Sequence, residues 1–119
     1  MTLYADAGST HNGFEDNVSH ICVHDGEQIL HHEIIGNRTI NEAEMLAIAK
    51  AVEIADGEPS EIYSDSMLAV NILNHDWKAK KPHLKVLRDS IQIPETVQLE
   101  WISREDNPAG WYLELNHGI

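Results

Sequence analysis

Three acidic residues, Asp6, Glu44 and Asp65, each fall where an element begins or ends. Asp6 lies in the apolar-bounded run Leu3-Tyr4-Ala5-Asp6-Ala7-Gly8-Ser9-Thr10. Glu44 stands in the opening turn of a helical pattern, Asn41-Glu42-Ala43-Glu44-Met45-Leu46-Ala47. Asp65 closes Ile62-Tyr63-Ser64-Asp65-Ser66. Carboxylates from separate elements converge only if something offsets their mutual repulsion, and divalent cations with oxygen ligands do that. The chemistry this predicts is a carboxylate metal site for phosphoryl transfer. Taken one at a time, two of the acids have ordinary roles open to them. Glu44 can be the reciprocal member of a capping box with Asn41, and Asp65 can cap the helix that follows it. Asp6 has no such alternative, because a carboxylate inside a strand is costly unless it is paired or metal-bound.

The elements that must position these acids are legible from pattern. Leu3 to Ser9 reads as a first strand and Val18 to His24 as a second. Asp25-Gly26 is a hairpin signal, and Gln28 to Ile35 makes a third strand. Asn41 to Ala55 is the clearest helix. One apolar stripe runs through Ala43, Ala47, Ala51 and Ile54, another through Met45, Ile48, Val52 and Ala55, so it is expected to be covered on both sides. Gly57 and Pro59 end it. Glu61 to Ser64 is a fourth strand, and Ser66 to about Trp77 a second helix. Pro82 opens a third helix through Leu84, Leu87 and Ile91. Val97, Leu99 and Trp101 alternate with Gln98 and Glu100 as a fifth strand, and Asn107-Pro108 starts a short terminal helix. The order β-β-β-α-β-α-α-β-α predicts an antiparallel meander to which later strands add in parallel through helical crossovers. The fold class is α/β, a mixed five-stranded sheet with helices packed on it.

At 119 residues, 42% of them hydrophobic, the chain is read as one domain spanning residues 1–119 with a core of its own. A single cysteine, Cys22, excludes an internal disulfide framework and a thiolate zinc site. No basic-then-apolar leader is present, and no apolar run approaches the ~20 residues of a membrane span. A cytoplasmic protein, monomeric and without membrane contact, is the expectation. A net charge of −12 argues against nucleic-acid binding until its distribution is considered. Five of the eight Lys/Arg fall together as Lys78, Lys80, Lys81, Lys85 and Arg88. Beside a carboxylate metal site, that stretch reads as a contact for a phosphate backbone.

The element order, the acids and their neighbours resemble ribonuclease H of the type 1 fold. The motifs that carry the resemblance are Asp6-Ala7-Gly8-Ser9 in the first strand, Asn41-Glu42-Ala43-Glu44-Met45 opening the first helix, Ser64-Asp65-Ser66 followed by a helix toward Trp77, and Arg104-Glu105-Asp106-Asn107 after the fifth strand. They occur in order along essentially the whole chain. The resemblance implies an endonuclease that cuts the RNA strand of RNA–DNA hybrids with two Mg²⁺ or Mn²⁺ ions, roughly 4 Å apart, clamping the scissile phosphate. It implies that Asp6 bridges both ions and that Glu44 and Asp65 add ligands. It also implies that Asn41 donates to the RNA strand, that Gly8 and Ser9 approach the RNA backbone, and that the basic stretch grips the DNA strand.

The chain departs from that family in its last helix. Where the family places an Ala-Asp pair, this sequence has Ala109-Gly110. The expected substitute for the missing acid is Asp106, with Glu114 as its rival. The loop Ser103 to Asn107 also lacks a histidine that many members carry there. These two features sustain a second reading, a module of the same fold that holds hybrid or structured RNA without cutting it. A phospho-receiver domain also clusters Asp residues around Mg²⁺, but it alternates β and α from its start, unlike three opening strands. His20 and His24 share a strand face and His31 and His32 are neighbours on the next strand. Without cysteine partners or a metalloprotease helix motif they read as an exposed polar face that charges below about pH 6.5, and Trp77 reads as a core residue.

Overall fold

The computed structural model describes residues 1–119. Its elements are β1 (Thr2–Ser9), β2 (Ser19–His24), β3 (Ile29–Gly36), α1 (Ile40–Ala55), β4 (Ser60–Ser64), α2 (Met67–Leu73), α3 (Pro82–Ser90), β5 (Val97–Trp101) and α4 (Pro108–His117). A single 3₁₀ turn, Arg104–Asp106, links β5 to α4. The sheet order is β3-β2-β1-β4-β5. β1, β2 and β3 are antiparallel, whereas β4 pairs with β1 and β5 with β4 in parallel. This is the mixed five-stranded sheet that the sequence pattern implies. No helix is long and apolar enough to cross a membrane.

The two-residue period of β1 divides its side chains between two layers. Leu3, Ala5 and Ala7 join Ile21 and Val23 beneath α1, in a core with Ala43, Ala47, Ala51 and Ile62. Tyr4 belongs instead to the opposite layer, where Cys22 packs with Ala109 and Leu113 of α4. Helix α1 is covered on both sides as its two stripes require, by the sheet and by α2 and α3. Alanine dominates its sheet-facing side, which lets its backbone lie close to β1 and brings a glutamate from its first turns to the strand.

Two local expectations are corrected. The cap of α1 is Thr39, not Asn41. The Thr39 hydroxyl accepts from Glu42 N–H, and the Glu42 carboxylate accepts from Thr39 N–H in return. The capping box therefore sits two residues earlier than the Asn41–Glu44 spacing suggests, and Glu44 is free of it. Helix α2 stops at Leu73 rather than near Trp77. Asn74 lends its side-chain amide to Leu99 C=O, and His75 takes a left-handed conformation at φ 62° that ends helical hydrogen bonding. Trp77 is consequently 46% exposed in the loop before α3, not a core residue.

If Thr39 is the cap, Thr39→Ala will lower unfolding free energy by about 1 kcal/mol, while Asn41→Ala will change it by less than roughly 0.5 kcal/mol. Urea denaturation of the two variants decides this, and a larger loss at Asn41 would contradict it.

Candidate functional site

Parallel register places Ala5 of β1 opposite Ser64 of β4, so Asp6 and Asp65 follow side by side where β4 leaves the ladder. The carboxyl ends of parallel strands are where α/β sheets open a crevice for ligands. β1 runs on past this point, and side chains take over its backbone groups. Ala7 N–H donates to Glu44 Oε1 at 2.8 Å, and Ala5 C=O accepts from Asn107 Nδ2 at 3.0 Å. Asn107, fully buried, also caps α4 by accepting from Ala109 N–H, and its amide reaches Asp65 Oδ2 at 3.4 Å. One asparagine thus ties together β1, α4 and an acid of the site.

The result is a cluster in which Asp6, Glu44 and Asp65 each bring a carboxylate oxygen within 4.8 Å of the others. Neither Glu44 nor Asp65 is spent on a cap, since Thr39 and Ser66 hold those places. Asp6 and Glu44 are 9% and 6% exposed, and the sole unpartnered buried side-chain oxygen in the chain is Glu44 Oε2. Burial, reinforced by the charge of Asp65, pushes the Asp6 carboxyl up to about 7. Glu44 is raised well above the usual carboxylate range by burial and by the charges of Asp6 and Asp65. Asp65 is raised by burial, while the Asn107 hydrogen bond and the Arg104 charge pull it back. Three converging acids, two of them buried and with an orphaned oxygen among them, fit the donor set of a hard divalent cation.

Asp106 does not join the cluster. Its carboxylate is exposed in the 3₁₀ turn, where Oδ2 accepts from the Ser103 hydroxyl at 2.8 Å. Glu114 is likewise exposed, on α4 beyond Leu113. Gly110 is the residue of α4 that faces the acids. A Cβ there would stand 3.1 Å from Asp6 Oδ2 and 3.9 Å from Asp65 Oδ2. Gly8, Ser9 and Asn41 line the cleft around the carboxylates, together with Arg104 and Ile119. At Gly8 the close neighbour is Ile119, whose Cγ1 would lie 2.9 Å from an added Cβ. Sequence reasoning missed Arg104 and Asn107 as site residues, although the Arg104-Glu105-Asp106-Asn107 motif contained the signal.

Of the basic stretch, Lys78, Lys80 and Lys81 line a groove with Trp77, and Asn41 borders both that groove and the carboxylate cleft. Lys85 is exposed on α3. Arg88 points to another surface beside His75 and Gln92, with a guanidinium nitrogen 3.1 Å from Asp89 Oδ1. The histidines do not form a uniformly exposed face. His20 is buried at 7% exposure and meets His32 and, from the end of α4, His117. Burial and the neighbouring imidazoles hold His20 and His32 below the ordinary histidine range.

The family model for RNase H matches residues 1–105. Among solved structures, the fold is similar to LC11-RNase H1, isolated from compost by a metagenomic approach, at 27% identity and a TM-score of 0.73, covering 94% of this chain and 90% of that one. The same enzyme in complex with an RNA/DNA hybrid matches at 27% identity and a TM-score of 0.71, covering 89% and 87%. RNase H1 from the halophilic archaeon Halobacterium salinarum shares the fold at 23% identity and a TM-score of 0.68, covering 91% and 89%. No curated protein matches.

The raised Asp6 carboxyl has a stability consequence in chelator. An acid whose folded pKa is about 7 against 3.8 unfolded holds a proton in the folded state that the unfolded chain releases. That contribution is fully present below about pH 4 and is lost as pH rises through about 7, on the order of 4 kcal/mol in all. Asp6→Asn removes it. The variant is therefore expected to be the more stable protein at pH 7, with the gap closing toward pH 4. Denaturant midpoints at the two pH values measure this, and parallel pH slopes would contradict it.

Proposed function

The chain belongs to the RNase H family, and from that premise we propose that it is a metal-dependent endoribonuclease that hydrolyses the RNA strand of RNA–DNA hybrids. The observation that carries this reading is the convergence of Asp6, Glu44 and Asp65 within 4.8 Å, with Glu44 Oε2 left unpartnered. These three carboxylates would hold Mg²⁺ or Mn²⁺. When bound, such ions supply an activated water and neutralise charge on the scissile phosphate.

The remaining work falls to the chain's own groups. Ala7 N–H fixes one oxygen of Glu44 and turns the other toward the cleft. Asn107 fixes Asp65 against the end of β1. Arg104, at the cleft wall and close enough to lower the Asp65 carboxyl, offers a cation to a phosphate oxygen. Asn41, between cleft and groove, is placed to address a 2′-hydroxyl, the group by which RNA is told from DNA. Gly8 and Ser9 form the rim along which the RNA backbone would lie. Lys78, Lys80 and Lys81 present cations to the DNA strand, with the face of Trp77 beside them. We propose a cytoplasmic location for the protein. One domain carries the entire cleft, and we propose that it acts as a monomer.

Gly110 supports a second reading, a hybrid-binding module without cleavage, because no fourth carboxylate stands in the cluster. We keep Asp106 and Glu114 as candidates for a fourth ligand that only a loop or helix movement would bring in. A labelled hybrid decides between the readings. The enzyme reading expects RNA-strand cleavage that EDTA abolishes, with single- and double-stranded DNA intact. Binding without cleavage at any Mg²⁺ or Mn²⁺ concentration establishes the module. Gly110→Asp adds a carboxylate against Asp6 and is expected to lower the Mg²⁺ needed for half-maximal cleavage by roughly tenfold, about 1.4 kcal/mol of metal affinity.

Hybrid binding should weaken steeply with salt. Replacing Lys80 and Lys81 by Ala is expected to flatten the log–log salt slope by about one unit for each lost contact. Arg88→Ala, already paired with Asp89, should leave the slope unchanged. A slope insensitive to both lysines would move the binding face elsewhere.

A further inference from the structure

Away from the carboxylate cleft, three imidazoles from three elements meet at the far end of the α4 layer. His20 comes from β2, His32 from β3 and His117 from the last turn of α4. One nitrogen from each lies within 4.8 Å of the others. His20 Nδ1 and His32 Nε2 are 2.8 Å apart, and the rings of His32 and His117 stack with centroids 4.2 Å apart. Tyr112 closes the group, its ring centroid 5.9 Å from that of His32 and 5.8 Å from that of His117. We propose that His20, His32 and His117 form a binding site for a borderline transition-metal cation, Zn²⁺ foremost, which fastens the end of α4 to the β2–β3 edge of the sheet.

The chemistry and the geometry agree. Three neutral imidazoles are a recurrent donor set for Zn²⁺ and a poor one for Mg²⁺ or Ca²⁺, which take oxygen ligands. Tetrahedral Zn–N bonds of about 2.0–2.1 Å set ligand nitrogens roughly 3.3 Å apart. The His20–His32 pair therefore needs to open by only about half an ångström, exchanging one hydrogen bond for two metal bonds, and the exposed His117 ring turns out of its stack on His32 to bring its in-plane lone pair to the ion. His117 is exposed and gives the ion a path in from solvent. Cys22 pairs with His32 across the strands but packs under Ala109 and Leu113, so the fourth position falls to water.

The site has a structural purpose within this fold. α4 carries Asn107 and Gly110 to Asp6 at its start and His117 at its end. Gly8, two residues beyond Asp6, pairs directly with His20. An ion at the far end would hold the helix down over the strand that bears the carboxylates.

The test is Zn²⁺ titration of metal-stripped protein by calorimetry and thermal unfolding, in the parent and in Asp6→Asn, His32→Ala and His117→Ala. One histidine-dependent Zn²⁺ per chain is expected in the parent, beside any ion the carboxylate cleft takes, and it should persist in Asp6→Asn, with Tm raised by about 10 °C at a hundredfold excess over Kd. His32→Ala and His117→Ala should each lose tenfold or more in affinity while keeping the metal-free circular dichroism of the parent. Co²⁺ should give the visible absorption of a low-coordinate nitrogen site, lost in His117→Ala. Absence of Zn²⁺ binding, binding indifferent to both histidine variants, or binding abolished by Asp6→Asn would each overturn the assignment. None of these outcomes depends on whether the protein cleaves RNA.

Discussion

Like charge held out of water governs this molecule. Asp6, Glu44 and Asp65 lie within 4.8 Å of one another, two of them almost wholly buried. Left to themselves, such groups protonate rather than remain charged, and the raised Asp6 and Glu44 carboxyls express that. The rest of the fold makes the arrangement possible. A parallel β1–β4 register sets two acids at adjoining strand ends, and an alanine-faced α1 lies close enough to deliver the third. A divalent cation turns this unfavourable crowding into a preformed site, and a ligand that binds only the folded state adds stability by mass action.

Helix α4 is the second half of that constraint. Asn107 at its start serves at once as cap, as partner to Ala5 C=O and as anchor for Asp65. Ala109 is fully buried on Cys22, and Gly110 comes so close to Asp6 that any side chain there would enter the cleft. The helix must lie flat on β1 and β2 for these contacts to hold. Leu113 and Ile119 press it from the middle and the end of the chain's last segment. The histidine group at its far end bears on the same requirement.

Much of this was legible in the residues. Strand alternation, the Asp25-Gly26 turn, the twin apolar stripes of α1 and Pro82 at the start of α3 marked the elements. Their order implied the sheet. The three acids could be singled out because Asp6 had no structural excuse within a strand. Local ambiguity produced the errors. Thr39–Glu42 and Asn41–Glu44 offer the same capping spacing, and only the backbone path into α1 chooses between them. Helix α2 ended early because Asn74 found a partner on β5, far away in sequence. The position of Asp106 turns on a 3₁₀ turn in which Ser103 claims its carboxylate. His117 could not be joined to His20 and His32 without knowing that α4 lies across β2. Asn107 showed itself as a helix start but not as the link between three elements, since that role exists only once the sheet has formed.

Proton release on metal binding is the most direct measure of whether crowded carboxylates are a cation site. Asp6 and Glu44 must shed protons to ligate, so binding and deprotonation are coupled. Calorimetric Mn²⁺ titrations at pH 6.5 in buffers of different ionisation enthalpy would count the protons. On this account about one to two are released per chain, fewer as pH rises past 7, and Asp6→Asn lowers the count by the share that Asp6 carries. Mn²⁺ binding with no proton release, or with release unchanged in Asp6→Asn, would contradict it.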